Sequence, residues 1–284
     1  MTFSRRVFLA AGLSPAVGWP ARARLDKVKI GVTDWNLRMT GKVEALELAR
    51  RIGFEGLEVS LGRKPVEGKL PLDNPDLQAQ YLAASKKHKI PVAGTCLDIL
   101  HVNYLKSDKL GQKWLADAIP ITKKLKTRVM LMPFFGKGAL QTRQEMDYVA
   151  DILRELGPEA QKAGILLALE DTISAQDNVR IMERSRSKAV RVFYDVGNST
   201  NAGFDPVAEI RWLGKSRIAE IHLKDKGYLG EGKIDFPAVL SAIADIGYEG
   251  FADLETSSPS GSVENDMRRN LAFLRDLIQK LRRG

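Results

Sequence analysis

The chain has 284 residues, 44% of them apolar and only one a cysteine, with no run of 18 apolar residues. That is ample for one domain-sized core, and it excludes an apolar membrane-spanning helix, an internal disulfide framework and a cysteine-built zinc site. Lys and Arg outnumber Asp and Glu by 44 to 35, a formal charge of +9, but they are spread along the chain. This speaks for solvated helix faces and against a nucleic-acid-binding stripe.

The first 23 residues stand apart from the rest. Ser4, Arg5 and Arg6 precede a modest apolar run that reaches about Val17, and Ala21-Arg22-Ala23 follows. A twin-arginine segment, a short apolar stretch and an A-x-A site, in that order, read as an export signal rather than a disordered basic tail. Cleavage after Ala23 removes three arginines and no acid, leaving a formal charge of +6 on residues 24–284. The expected site of action is therefore the periplasm.

From residue 28 onward, short apolar runs alternate with segments of helical period. Residues 28–32 form the first strand. Trp35 just beyond it serves either as an apolar wall of a pocket or as packing at the strand ends. Residues 43–52 form a helix closed by Gly53, and residues 56–60 a second strand carrying Glu58 near its end. In isolation, pairing or capping accounts for that glutamate. Residues 63–73, rich in Gly, Pro and Lys, form a long loop, and a helix follows over 76–89.

Strand three covers residues 91–96, and the next segment holds polar groups, His101 among them, at the level where a ligand would sit. The pattern over 109–125 is helical, with Pro120 expected to kink or break it. Strand four covers 129–133. Lys137 then lies between two glycines, placed either to reach a substrate oxygen or to sit in solvent; the turn lacks the spacing of a phosphate-binding P-loop. A helix over 142–163 is interrupted by Gly157-Pro158.

The informative stretch is 164–255. Four apolar runs, GILLALED, VRVFYDVGN, RIAEIHLKD and EGFADLETS, end at or beside Glu170, Asp195, His222 and Glu255. Helices are expected at about 178–186, 206–213 and 236–246, and an amphipathic helix over 263–283 completes eight strands and eight helices. That is a single (β/α)8 TIM barrel, whose active site lies where the strands end. If the strands close one barrel, the four ends converge, and three carboxylates so close together need a cation or shared protons to hold them. The oxygen-rich donor set suits one divalent ion, Mn, Mg or Co, with Zn also compatible.

The segments ALEDTIS, FYDVGNST, IHLKD with LGEGKIDF, and FADLET resemble the xylose isomerase-like barrels, sugar and sugar-phosphate isomerases and epimerases, over roughly residues 28–282. The resemblance implies that Glu170, Asp195, His222 and Glu255 are metal ligands, with Glu170 and Glu255 also the acid/base pair. It implies proton abstraction beside a carbonyl through an enediolate, and a small carbohydrate as partner. A glutamate at the position of Glu58 commonly approaches the site in this family. Asn198, Lys224 and Tyr228 are the expected contacts to substrate, with Trp35, His101 and Lys137.

Two positions depart from the free-ketose 3-epimerases of the family. Asn198 stands where they carry a histidine, and Tyr228 where they carry an arginine, which argues against 3-epimerisation of a simple ketose. Export argues for an unphosphorylated sugar, a keto-sugar or a glycoside. The alternatives are a lyase acting on a 3-keto-glycoside by β-elimination at the same site, a non-catalytic sugar-binding barrel and a metal hydrolase. The related abasic-site endonucleases need several histidines at the site, whereas this chain has three in all and only His222 ends one of the four strands. Self-association is left open.

Overall fold

The computed structural model describes residues 25–283; the export signal expected over 1–23 lies outside them. Eight parallel strands close a barrel in sequence order: β1 (Val28–Thr33), β2 (Leu57–Ser60), β3 (Val92–Cys96), β4 (Val129–Pro133), β5 (Leu166–Glu170), β6 (Val190–Asp195), β7 (Ile218–Leu223) and β8 (Gly250–Leu254). The last strand pairs with the first, Val28 opposite Gly250 and Val32 opposite Leu254. The strands are short and almost wholly buried, as expected where helices cover the outer face of a parallel sheet.

The outer ring comprises α1 (Ala45–Ile52), α2 (Pro75–His88), α3 (Lys109–Lys124), α4 (Arg143–Ala163), α5 (Ala175–Ser185), α6 (Val196–Asn201), α7 (Pro206–Leu213), α8 (Phe236–Asp245) and α9 (Val263–Arg283). Their starts are written in the sequence. Asn74 accepts from the backbone amides of Asp76 and Leu77, with Pro75 at the first position of α2. Thr142 and Glu145 form a reciprocal capping box at α4, and Ser174, Asp205 and Asp235 cap α5, α7 and α8. Gly53, at φ +116°, closes α1 in a conformation that favours glycine.

Three expectations are corrected. Pro120 does not break α3, and Gly157-Pro158 does not interrupt α4. In both helices a proline forfeits one backbone hydrogen bond, while buried apolar residues on either side, Trp114, Leu115, Ile119 and Ile121 in α3, keep the helix against the barrel. The third difference is α6, a helix of six residues that starts directly at the end of β6 because the carboxylate of Asp195 accepts from the amides of Gly197 and Asn198 at 2.7 and 2.8 Å. No helix of the described residues is long and apolar enough to cross a membrane.

The barrel interior is not purely apolar. Glu58, Glu220, His222 and Asp253 are all essentially inaccessible to solvent. Burial pushes the carboxyls of Glu220 and Asp253 above the ordinary range, and for Glu220 the neighbouring charge of Asp253 adds to it. Glycine makes room for this acidic layer: a Cβ at Gly31 would lie 1.7 Å from Asp253 Oδ1, and one at Gly94 would lie 3.3 Å from Glu220 Oε2.

Candidate metal centre and active site

Register sets the levels of the site. Asp195 at the end of β6 pairs with His222 on β7, and Glu170 ends β5 opposite Pro133. Glu255 follows β8 directly, its amide still bonded to Leu223 O at 3.1 Å. Ligand atoms of Glu170, Asp195, His222 and Glu255 consequently all lie within 4.8 Å of one another.

His222 is the hub. Its Nδ1 faces the carboxylates, 3.0 Å from Glu170 Oε1, 3.7 Å from Glu255 Oε2 and 3.8 Å from Asp195 Oδ2. Its Nε2 lies 2.7 Å from Glu58 Oε2. The ring is wedged against Phe193, with centroids 4.4 Å apart, and meets Trp35 edge-on at 6.1 Å. Burial opposes a charge on the imidazole, but Glu58, Glu170 and Glu255 outweigh it and hold the group well above its usual range.

A second cation lies alongside. Lys224 Nζ is 2.7 Å from Asp195 Oδ2 and 2.5 Å from Glu255 Oε2. The two proposed acid/base carboxylates are thereby driven apart. Burial pushes Glu170 up to about 8 against the pull of His222. For Glu255, burial is outweighed by His222, Lys224 and a 3.0 Å hydrogen bond from Trp35 Nε1, which together hold it down at about 2. Asn198 Nδ2 donates to Glu170 Oε1 at 3.3 Å.

The donor set fits a divalent ion. A proton on Nε2 directed at Glu58 leaves the Nδ1 lone pair facing three carboxylates, and a carboxylate behind a histidine is how proteins fix the tautomer of a metal-binding imidazole. Without an ion, the three acids are balanced by His222 and Lys224.

Above the centre opens a cavity of about 560 Å³, whose lining includes Trp35, His101, Glu170, Asn198, Lys224 and Glu255. The structure thus brings these expected residues together, with His101 stacked on Phe135 at 6.2 Å. Three expected substrate contacts do not line this cavity. Glu58 is fully buried behind His222, where it positions the imidazole rather than meeting a ligand. Tyr228 donates its hydroxyl to Asp266 at 2.7 Å and its ring lies 3.7 Å beneath the Arg269 guanidinium, so it is committed to α9. Lys137 is exposed on a single turn of 3-10 helix, which fits the solvated alternative.

Sequence reasoning did not single out two charged residues of the wall. Asp98, beyond β3, accepts from Ser60 Oγ and from Cys96 Sγ, the latter at 3.4 Å, and Arg63 reaches the cavity from the long loop after β2. Their position in strand-to-helix loops at the barrel mouth was the available signal.

Fold and centre together define a (β/α)8 barrel with a three-carboxylate, one-imidazole site at its C-terminal mouth. The chain belongs to the xylose isomerase-like TIM barrel family, whose model matches residues 46–277. It is 25% identical over 198 residues to 2-epi-5-epi-valiolone 7-phosphate 2-epimerase of an Actinoplanes species, covering 69% of this chain and 72% of that protein. It is 28% identical over 157 residues to inosose dehydratase of Geobacillus thermodenitrificans, a match spanning 44% of this chain and about half (52%) of that relative. Among solved structures, that of an L-ribulose 3-epimerase superposes with a TM-score of 0.74 at 18% identity, over 90% of this chain and 96% of that one. At such identity the likeness shows the fold.

Proposed function

We propose that the chain is a divalent-metal-dependent sugar epimerase or isomerase that moves a proton beside a carbonyl. The observation that carries the reading is the pair Glu170 and Glu255, brought from β5 and β8 to one imidazole nitrogen at the base of a sugar-sized cavity, with burial pushing Glu170 up and His222 and Lys224 holding Glu255 down against burial. Environments that push two carboxyls apart define an acid and a base.

Glu170, Asp195, His222 and Glu255 would hold the ion. When bound, it supplies Lewis-acid stabilisation of the charge that develops on the carbonyl oxygen. Glu255, kept ionised, takes the proton from carbon as the C–H electron pair moves toward the carbonyl. Glu170, as the acid of the pair, returns a proton to the other face or to the neighbouring carbon. A positioned acid or base of this kind contributes about 10²- to 10⁴-fold. Asn198 fixes the carboxyl of Glu170 and Trp35 that of Glu255. The expected export segment supports a substrate met outside the cytoplasm.

The test is incubation of the Mn-loaded protein with ketoses, aldoses and 3-keto-glycosides in D₂O, followed by NMR. Deuterium beside a carbonyl in the wild type, and none with Glu170→Gln or Glu255→Gln of unchanged melting temperature, is the expected result. Full activity in either variant would sink the two-carboxylate mechanism. A second reading, β-elimination from the same abstraction, is favoured by the dehydratase among the relatives. Loss of a leaving group in the same spectra distinguishes it.

A further inference from the structure

We propose that a second cavity, on the far side of Lys224, is an anion-binding extension of the sugar site that takes a carboxylate or phosphate carried at the distal end of the substrate. The sugar reading above is assumed for what brings the anion there; the anion site itself stands on the residues that follow.

This cavity, of about 450 Å³, lies between α6 and the loop joining β7 to α8, with Thr200 and Asn201 on one side and Lys224, Lys226 and Lys233 on the other. Lys224 lines both cavities, and Gly197 of this one adjoins Asn198 of the first. The reason Lys224 can act as the partition is local. A Cβ on Gly197 would meet Lys224 Cγ at 2.5 Å, so glycine lets the lysine stem cross the start of α6 while its ammonium reaches Asp195 and Glu255.

The charges left over in this cavity are positive. The ammonium groups of Lys226 and Lys233, both exposed, have neither a hydrogen bond nor an ion pair among the described residues. Asp225, the acid in the same wall, is already engaged: Oδ1 accepts from Lys226 N at 2.8 Å, and Oδ2 from Gly230 N and Gly232 N at 3.2 and 3.0 Å. Those bonds also hold the loop in one shape, since a Cβ on Gly232 would collide with Asp225 Oδ1 at 1.7 Å. Thr200 gives its hydroxyl to Val196 O at 2.7 Å. The charged groups still unpaired are therefore two ammonium donors on a loop held by Asp225, with the Asn201 amide as the neutral group opposite. A neutral hydroxyl gains little from them, whereas an oxyanion gains charge-assisted hydrogen bonds.

The experiment is calorimetric titration of the full chain at low salt with inorganic phosphate, D-glucuronate and, as the neutral control, D-glucose. Wild type is compared with K226A/K233A and K226R/K233R, after checking that the melting temperatures of all three agree. Expected is anion binding that weakens by about tenfold or more in the alanine pair and is retained in the arginine pair. Lysine-dependent binding of glucuronate alone identifies a sugar acid as the source, and of phosphate alone a phosphate ester. Anion binding undiminished in K226A/K233A, or absent from the wild type, overturns the proposal. Proton exchange in D₂O is scored separately. Exchange on neutral sugars together with lysine-insensitive anion binding removes the extension and leaves the epimerase reading. Lysine-dependent anion binding without exchange on any sugar does the reverse.

Discussion

Glu58 offers the sharpest test of how the centre is held. Its carboxylate is fully buried and its Oε2 lies 2.7 Å from His222 Nε2. Glu58→Leu keeps approximate volume but removes the acceptor that faces that edge of the ring. In metal-free protein this leaves a buried imidazolium with one fewer partner, and breaking such a pair costs about 3–5 kcal/mol. Repulsion of Glu58 by Asp253 and Glu255 works the other way, which favours the lower end, about 3 kcal/mol. In a domain of this size that lowers Tm by roughly 6–12 °C. Glu58→Gln retains an oxygen acceptor and should lose only about 1 kcal/mol. With the tautomer no longer fixed, Mn²⁺ affinity should fall about 10- to 100-fold in the leucine variant, and less in the glutamine variant. Thermal melts after chelation and calorimetric Mn²⁺ titration read the two effects. A leucine variant that melts and binds Mn²⁺ like the wild type would refute the role assigned to Glu58.

Asp34 carries a pH dependence of its own. Burial pushes its carboxyl from 3.8 up to about 8, although Oδ2 accepts from the amides of Gly41 and Ser60. The folded chain thus keeps a proton that the unfolded chain releases, so this contribution to stability is complete below about pH 4 and is lost as pH rises through 8. Asp34→Asn, which keeps the acceptor, should flatten that decline in urea midpoints measured from pH 4 to 8. Gly31→Ala should cost about 1–3 kcal/mol through overpacking against Asp253. Gly41→Ala, at φ +70° with nothing within 4 Å, should cost about 1 kcal/mol from backbone strain alone, and equal losses in melting experiments would contradict the clash. Trp35→Phe removes a hydrogen bond that helps to keep Glu255 ionised, so the acid limb of the rate profile should move to higher pH. An unmoved limb would detach Trp35 from that role.

The barrel and the four residues that meet at its centre were legible because both rest on strong, repeated signals. Buried strands alternate with helical periods, and a metal-binding residue type stands at four successive strand ends. What a neighbouring strand brings to the far side of a residue is not written locally. Glu58 looks the same in sequence whether it faces a ligand or supports His222, and only closure of the barrel, which brings β2 to face β7 across the lumen, decides. Tyr228 was misread for the same reason, since its partners Asp266 and Arg269 are about 40 residues away. The six residues of α6 are too few for periodicity to appear, and the cap that starts it is one of the centre's own carboxylates. Glu220 and Asp253 passed unnoticed because an acid inside a strand usually reads as an outward-facing position. The glycines that give them room, Gly31 and Gly94, became meaningful only once the opposing side chains were in view.

The acidic layer around His222 bears on how loss of the metal should be imitated in the laboratory. Because the imidazole engages Glu58 on one edge and Glu170 on the other, an alanine there would strand both carboxyls facing a void, and its phenotype would mix failed folding with failed catalysis. Asp195→Asn is the gentler ablation. The amide oxygen can still cap α6 through Gly197 and Asn198, while one anionic ligand and one of the two ion-pair partners of Lys224 are withdrawn together. A dead enzyme of native stability, the control every assay of this protein will require, is more readily built from the rim of the centre than from its hub.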